Sequence, residues 1–362
     1  MTSKVFITGA TGYIGGEALY QLLNSSQKYD ITALVRSEEK AENLKTATGN
    51  KVRTVIGHLD DLELIDEQVR ANDIIINTAN VDHVPSAEVL RKALAAKKEP
   101  TILVHTSGTS VIGELLDDSQ RSALKKVWSD EKNIDEINRI PDQAPHRPVD
   151  KIILEIQEKN PQVKTAIIAP SLIFGISHGY DKRNSIQIPE LIKATIKNDG
   201  PFTVNSGDCI WSHIHIHDLG ALYKVVLDKL VAGEDIPQGR NGYYFGALAL
   251  KNEPTPTENP TEIEHLWRNL SEKTGELLYR RKLVKSNKVQ ALQADQVVPL
   301  KDGDPFAPYY WGTNSRSRAD NGYKIGWRPK YATLDQFWDS VEEDLDHLIE
   351  IGQVNAREGV KI

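Results

Sequence analysis

Val5-Phe6-Ile7-Thr8-Gly9-Ala10-Thr11-Gly12-Tyr13-Ile14-Gly15-Gly16 is the stretch on which the architecture turns. Its three apolar residues make a buried strand. Gly9, Gly12 and Gly15 then fall three apart, and a helix-compatible apolar run follows at Ala18, Leu19, Leu22 and Leu23. Gly9 permits the tight turn off the strand. Gly12 lets the backbone approach a pyrophosphate where a Cβ would clash, and Gly15 lets the new helix pack against the strand. The helix N-terminus offers free N–H groups to phosphate oxygens. A glycine triplet alone is weak evidence; set between a strand and a helix, it points to a dinucleotide.

Outward from this stretch, strands and helices alternate. Strands are expected at Ile31–Val35, Val52–Ile56, Ile74–Asn77, Ile102–His105 and Thr165–Ala169. The helices between them are expected at Gly15–Asn24, Glu38–Thr46, Leu62–Arg70, Ser86–Lys97 and Pro148–Lys159. Strands that are apolar throughout call for a parallel sheet covered on both faces. The fold class is therefore α/β, a doubly wound parallel (Rossmann) sheet with a smaller C-terminal substrate-binding part. Residues 1–175 form mainly the dinucleotide-binding domain and 176–362 mainly the substrate part, with about 205–230 and 240–248 returning to the first. The pattern breaks between Gly113 and Arg147, a polar stretch carrying Asp117-Asp118, Asp130-Glu131 and Asp135-Glu136. A structureless segment of that length is a lid or hides a short helix. A helix is expected over Pro189–Lys197, an exposed loop over Asn252–Pro260, and short helices with turns in the rest of the C-terminal part.

Among 362 residues, 39% are hydrophobic and 26% charged, as in an ordinary globular protein. A net charge of −7 without a basic cluster argues against nucleic acid as a partner. The single cysteine, Cys209, can form neither an internal disulfide nor a zinc site by itself, which fits a reducing compartment. The first strand begins at Val5, leaving no room for a signal peptide, and no apolar run is long enough to span a bilayer. The expectation is a cytoplasmic protein with no membrane partner.

In order along the chain, these residues resemble the extended short-chain dehydrogenase/reductase superfamily, related to sugar-nucleotide epimerases, dihydroflavonol-type reductases and regulators of nitrogen metabolite repression. Thr8-Gly9-Ala10-Thr11-Gly12-Tyr13-Ile14-Gly15 matches its T-G-A-T-G-x-[IL]-G. Leu59-Asp60 resembles the element that contacts the adenine, and Thr78-Ala79-Asn80 the loop beside the cofactor ribose. Pro170-Ser171-Leu172-Ile173-Phe174-Gly175 resembles the strand end that meets the nicotinamide. Ile214-His215-Ile216-His217-Asp218-Leu219 resembles a stretch that begins a late helix, and Gly326-Trp327-Arg328-Pro329 the ending of such chains. The resemblance implies an NAD(P) cofactor, a small-molecule substrate and, as is common in the superfamily, a homodimer through two sheet-flanking helices.

Charge selects between the cofactors. An NAD enzyme places Asp or Glu at the end of the second strand for the ribose 2′-OH. Arg36, followed by Ser37, stands there instead and suits a 2′-phosphate, so NADP(H) is preferred, with NAD(H) as the alternative.

The family's chemistry implies a serine, a tyrosine proton donor and a lysine four residues later. Lys151 resembles the lysine, which binds the cofactor and tunes the tyrosine. Four residues before it stands Arg147, which cannot be deprotonated and could only polarise or bind an anion. A gapless match puts Gly108 on the serine, flanked by Ser107 and Thr109, and a one-residue shift restores a hydroxyl. His146 is the substitute proton source, because histidine titrates near neutrality. Family position places His83 near the cofactor's mouth and His178, Tyr180, Arg183, Asn184 and Trp211 around the substrate. His213, His215 and His217 alternate on a strand-like segment and so share one face, but no partner beyond Asp218 completes a metal site, and none is expected. The leading expectation is an NADP(H)-dependent oxidoreductase of atypical short-chain type, reducing a small carbonyl, imine or activated alkene. The absent tyrosine keeps two others open: a non-redox isomerase or cyclase, and an NADP(H)-sensing regulator.

Overall fold

The computed structural model describes residues 2–116 and 118–355 of the chain. Seven strands, β1 (Ser3–Thr8), β2 (Tyr29–Val35), β3 (Val52–Ile56), β4 (Ile74–Asn77), β5 (Thr101–Thr106), β6 (Val163–Pro170) and β7 (Tyr243–Gly246), make one parallel sheet. Its spatial order is β7-β6-β5-β4-β1-β2-β3. The order reverses between β1 and β4, and in open sheets of this kind ligands bind at that switch point, outside the carboxyl ends of the strands.

The longer helices are α1 (Tyr13–Leu23), α2 (Glu38–Ala47), α3 (Leu62–Ala71), α4 (Val84–Ala95), α5 (Arg147–Lys159), α6 (Gln187–Lys197), α7 (Ile216–Val231), α8 (Trp267–Arg280) and α9 (Leu334–Glu350). On one face α3, α4 and α5 pack side by side; on the other α1 packs against α7. Local chemistry sets their ends. Ser37 caps α2 by accepting from Lys40 N, with Glu38 and Glu39 in the first turn. Thr333 and Gln336 form a reciprocal capping box on α9.

Two apolar cores result. The first fills the sheet and its helices, with Phe6, Ile75, Leu103, Ile153, Leu219 and Tyr244 buried in it. The second lies beyond the strands' carboxyl ends and gathers Phe174, Leu191, Trp211, Trp267, Leu278 and Phe337. A three-stranded sheet, Glu264–Leu266 beside Ile210–His215 beside Leu172–Phe174, runs through it. α8 and α9 are longer than the short helices expected there. On α9 the buried residues Phe337, Val341, Leu345 and Leu348 repeat at helical spacing.

The polar stretch after β5 is no free lid. Glu114-Leu115 pairs with Thr313-Asn314, Trp128-Ser129 pairs with Ser317-Arg318, and a short helix occupies Ile134–Ile137. Its acidic character conceals an anchor. Asp130 is fully buried and accepts from Phe245 N at 2.8 Å and Asn321 N at 2.9 Å. Asp117 lies outside the described residues. Asp218 has a similar task, accepting from Lys330 N and Tyr331 N at 2.8 Å each, while its carbonyl accepts from Trp327 Nε1 at 2.9 Å. Two motifs distant in sequence thus hold one another. Among the described residues no helix is long and apolar enough to cross a membrane.

The second part is pinned by a buried ion-pair network. Arg316 meets Glu264 through two hydrogen bonds of 2.9 and 2.7 Å and donates to Leu124 O and Thr257 O; Arg318 adds a third bond to Glu264 at 2.9 Å. These guanidinium groups hold the Glu264 carboxyl down at about 2 against the opposing effect of burial. Its contribution is full above the ordinary glutamate value of about 4.3 and is lost as pH falls from there through about 2. Glu264→Gln leaves the buried Arg316 guanidinium without its carboxylate, while Arg318 keeps Glu253, and a loss of about 3–5 kcal/mol is expected. Urea unfolding at neutral pH measures it, and the gap to wild type should narrow on acidification below about pH 4.

Candidate active site

The glycine turn is locked by close approach of backbone. Gly9 lies at φ +77°, and a Cβ there would stand 2.8 Å from Ala79 N and Thr78 O. A Cβ on Gly15 would meet Gly9 O at 2.2 Å and Thr78 Oγ1 at 2.3 Å, so Gly15 accommodates the turn and the β4 loop. Thr78 Oγ1 donates to Thr8 O at 2.6 Å, tying the ends of β1 and β4 together. Gly12 begins α1 with no side-chain cap and no acidic residue in the first turn. The positive end of the helix dipole is left open to an anion, as a dinucleotide pyrophosphate requires. Ala10, Thr11, Tyr13 and Ile14 complete the turn. Arg36 is exposed just beyond β2, and no ion pair or hydrogen bond of its side chain is found among the described residues.

The loop from Gly175 to Ser185, expected to face the substrate, instead crosses back over this turn. Tyr13 Oη donates to Gly175 O at 2.6 Å, Lys182 N to Thr11 O at 3.2 Å, and Asp181 pairs with Lys40. Arg183 Nε donates to Ser177 O at 2.8 Å within the loop, which makes it an internal brace. His178 stacks between Tyr20 and His217 and lies on the buried carboxylate of Glu17. Tyr180 is half-buried against the first core and Asn184 is buried.

A second cluster stands where β5 and α5 meet. His146 is the residue before α5 and adopts a left-handed conformation, φ +66° and ψ −19°. Its Nε2 lies 2.6 Å from Ser110 Oγ and its Nδ1 lies 2.8 Å from Asp82 Oδ1. The hydrogen bond from His146 holds the Asp82 carboxyl below its ordinary value, so Asp82 stays ionised and fixes the proton on Nδ1. The turn of Asn80, which accepts from Asp82 N at 3.1 Å, presents that carboxylate. Gly108 gives the ring room, since a Cβ there would sit 3.1 Å from His146 Nε2 and press it by a few tenths of an ångström.

Beneath it is a buried polar layer. Asp150, fully buried, accepts from Ser107 Oγ at 2.8 Å and from Tyr243 Oη at 2.9 Å. Burial raises its carboxyl to about 6 despite those two hydrogen bonds. His105 Nδ1 lies 3.0 Å from Asn77 Nδ2 and so accepts, which puts its proton on Nε2, 3.8 Å from Asp150 Oδ1. Burial pushes His105 down to about 3.

Several expected roles are corrected by these contacts. Lys151 does not face the site; its ammonium pairs with Asp142 at the surface, because residues 146 and 150, one helical turn apart, take the inward positions. Arg147 binds no external anion, since its guanidinium is buried and donates to Ile140 O, Asn138 O and Tyr243 Oη. Ser107 is committed to Asp150, and Thr109 is buried with its carbonyl accepting from Ser315 Oγ. His83 caps α4 through Ser86 N, and its Nε2 meets Asp60 Oδ1 at 3.1 Å. Leu59 packs on the first core, Pro170 ends β6, and Leu172 is buried in the second core. Trp211 is also core, donating to Thr313 Oγ1 at 3.1 Å. The three histidines do not share a face, because the strand ends at His215 and His217 belongs to α7. His213 stacks on Phe337 and His215 on Tyr331. Sequence reasoning missed Asp82, Ser110 and Glu17. The hydroxyl-rich run Thr106-Ser107-Gly108-Thr109-Ser110 at a strand end was the available signal for one of them.

A family model described as NAD(P)H-binding matches residues 9–139. The oxidase ucsJ of Acremonium sp is 31% identical over 345 residues, which cover 91% of this chain and 93% of that protein. An uncharacterized protein of Schizosaccharomyces pombe is 27% identical over 237 residues, 64% of this chain and 72% of its own. Among solved structures, the PbgP3 protein from Burkholderia pseudomallei superposes with a TM-score of 0.65 at 13% identity, covering 97% of this chain and 98% of that one. A dTDP-glucose 4,6-dehydratase from Bacillus anthracis str. Ames, solved with NAD, gives 0.62 at 17% identity over 96% and 98%. At such identities the shared property is the fold.

The geometry separates two neighbouring residues. Lys151→Ala should change stability by no more than about 0.5 kcal/mol, as befits an exposed ion pair, and leave dinucleotide affinity within about twofold. Arg147→Leu should cost about 3–5 kcal/mol, because three buried acceptors lose their donors. Thermal melting and fluorescence titration with NADPH and NADH check both.

Proposed function

The chain belongs to the extended short-chain dehydrogenase/reductase superfamily of NAD(P)-binding proteins, and from that premise we propose that it is an NADP(H)-dependent oxidoreductase of a small carbonyl, imine or activated alkene, with His146 as proton carrier. One observation carries the reading: Asp82, His146 and Ser110 form a hydrogen-bonded chain, with His146 one residue from the tyrosine position and Ser110 two residues from the serine position that the resemblance implies. The glycine turn would hold the pyrophosphate, and the bound nicotinamide supplies or accepts the hydride.

The residues of this chain handle the proton. Ser110 Oγ holds the substrate oxygen or nitrogen and gives up its proton as the multiple bond is reduced. His146, entering the step doubly protonated, restores that proton from Nε2 across 2.6 Å, is left as the neutral imidazole protonated on Nδ1, and regains its second proton from solvent. The resulting charge distribution is steadied by the Asp82 carboxylate, which keeps Nδ1 protonated throughout. Run in the oxidative direction, Nε2 accepts the proton through the same hydroxyl. Arginine at 147 could do none of this, but histidine one residue earlier can.

Support for NADP(H) is the exposed guanidinium of Arg36, which has no ion pair among the described residues, together with Arg36-Ser37 in place of a carboxylate directly after β2. Arg36→Asp should reverse the cofactor preference, read as the ratio of dissociation constants for NADPH and NADH; an unchanged ratio refutes the assignment. With the wild-type protein, loss of NADPH absorbance is followed against a panel of aldehydes, ketones and imines. His146→Gln should then lower kcat by about 10²–10⁴ while NADPH binds as before. Turnover that persists at wild-type level in this variant rules out His146 as the carrier.

A further inference from the structure

We propose that Glu17, His178 and His217 form a binding site for one divalent first-row transition ion, zinc being the species the donors fit best. One carboxylate and two imidazoles come from three separate elements: α1, the loop after β6, and the first turn of α7. Their donor atoms all lie within 4.8 Å of one another. Zinc bonds of about 2.0–2.1 Å set donors of a tetrahedral site about 3.3 Å apart. Glu17 Oε1 and His178 Nδ1 already stand at 3.2 Å. The rings of His178 and His217 are stacked, with centroids 3.8 Å apart and planes 14° from parallel, so the exposed His178 ring has to rotate out of the stack for the in-plane lone pairs of both imidazoles to meet one ion.

The surroundings are those of a supported site. Glu17 is buried, and its Oε2 is oriented by His178 N at 2.8 Å and Ser177 Oγ at 3.2 Å, while Gln21 Nε2 reaches Oε1 at 3.1 Å. His217 Nε2 lies 3.1 Å from Ile176 O, and Tyr20 stacks on the outer face of His178. Outer contacts of this kind orient ligands in metal sites. His178 is 41% exposed, so an ion can enter from solvent and a water can take the fourth position. Hydrogen bonds alone would tether the loop. An ion would lock it onto α1 directly beside Tyr13, whose hydroxyl holds Gly175.

The test uses the full-length protein stripped by a chelator and titrated with Zn²⁺ by calorimetry, then with Co²⁺ by visible absorption. One equivalent per chain is expected, with Co²⁺ bands of a low-coordinate N/O site. His178→Ala and His217→Asn should each weaken Zn²⁺ binding at least about tenfold, since loss of an outer-shell partner alone costs that much. His146→Gln should retain it. Zn²⁺ should also slow amide exchange over Ile176–Gly179. Failure of the folded protein, checked by circular dichroism, to take up Zn²⁺ overturns the proposal. So does an affinity that survives both substitutions or disappears in His146→Gln.

Discussion

A buried positive charge governs the geometry of this molecule's chemistry. The Arg147 guanidinium has left water entirely, and its donors are satisfied by Ile140 O, Asn138 O and Tyr243 Oη. Such burial is tolerated only where nearly every donor is met, and the nearest carboxylate balances part of the charge. Here Tyr243 Oη passes the interaction on, accepting from Arg147 and donating to Asp150. The start of α5, the edge strand β7 and the end of β5 are therefore fixed together. The residue before the inward-directed Arg147 has a left-handed conformation, and its ring meets Ser110 and Asp82. Residues held in sparsely populated backbone conformations cluster at functional sites, provided the surroundings enforce them.

The same layer explains why polar groups can be so dense beneath an apolar sheet. Thr8, Asn77 and His105 form a hydrogen-bonded row across the carboxyl ends of β1, β4 and β5, and Asp150 faces the row from α5. His105 is kept neutral and Asp150 keeps its proton up to about 6, both through burial. His105 therefore adds no charge to the low dielectric, and above about pH 6 the Asp150 carboxylate is met by the hydroxyls of Ser107 and Tyr243. The ionised carboxylate of the relay, Asp82, lies at the half-exposed rim, where solvent helps to carry it.

The fold was legible in the sequence because its signals are local. Strand after apolar strand, with glycines at a turn that admits no Cβ, leaves little choice of architecture. The relay was harder to read because it depends on long-range placement. Asp82 and His146 are 64 residues apart, and Ser110 and His146 are 36 apart. Nothing in either neighbourhood announces the partner. α8 and α9 were underestimated for a similar reason: their buried stripes are interrupted by polar residues such as Thr274 and Asp344, which weaken the apolar periodicity while lying inside the second core.

The lysine shows how a motif can mislead by one residue. Counting back from Lys151 places arginine on the proton donor and suggests a ruined site. Counting by which side chains face β5 gives His146 and Asp150, an i, i+4 pair on the same face. The apparent losses then compensate. Where the family's serine is expected, Gly108 leaves the space that the imidazole occupies, and the hydroxyl reappears two residues later at Ser110. A serine at 108 would bring its Cβ within 3.1 Å of His146 Nε2, a contact that an imidazole packed between Ser110 and Asp82 has little freedom to relieve. Glycine at 108 thus leaves room for histidine at 146, where any larger residue would push the imidazole by a few tenths of an ångström.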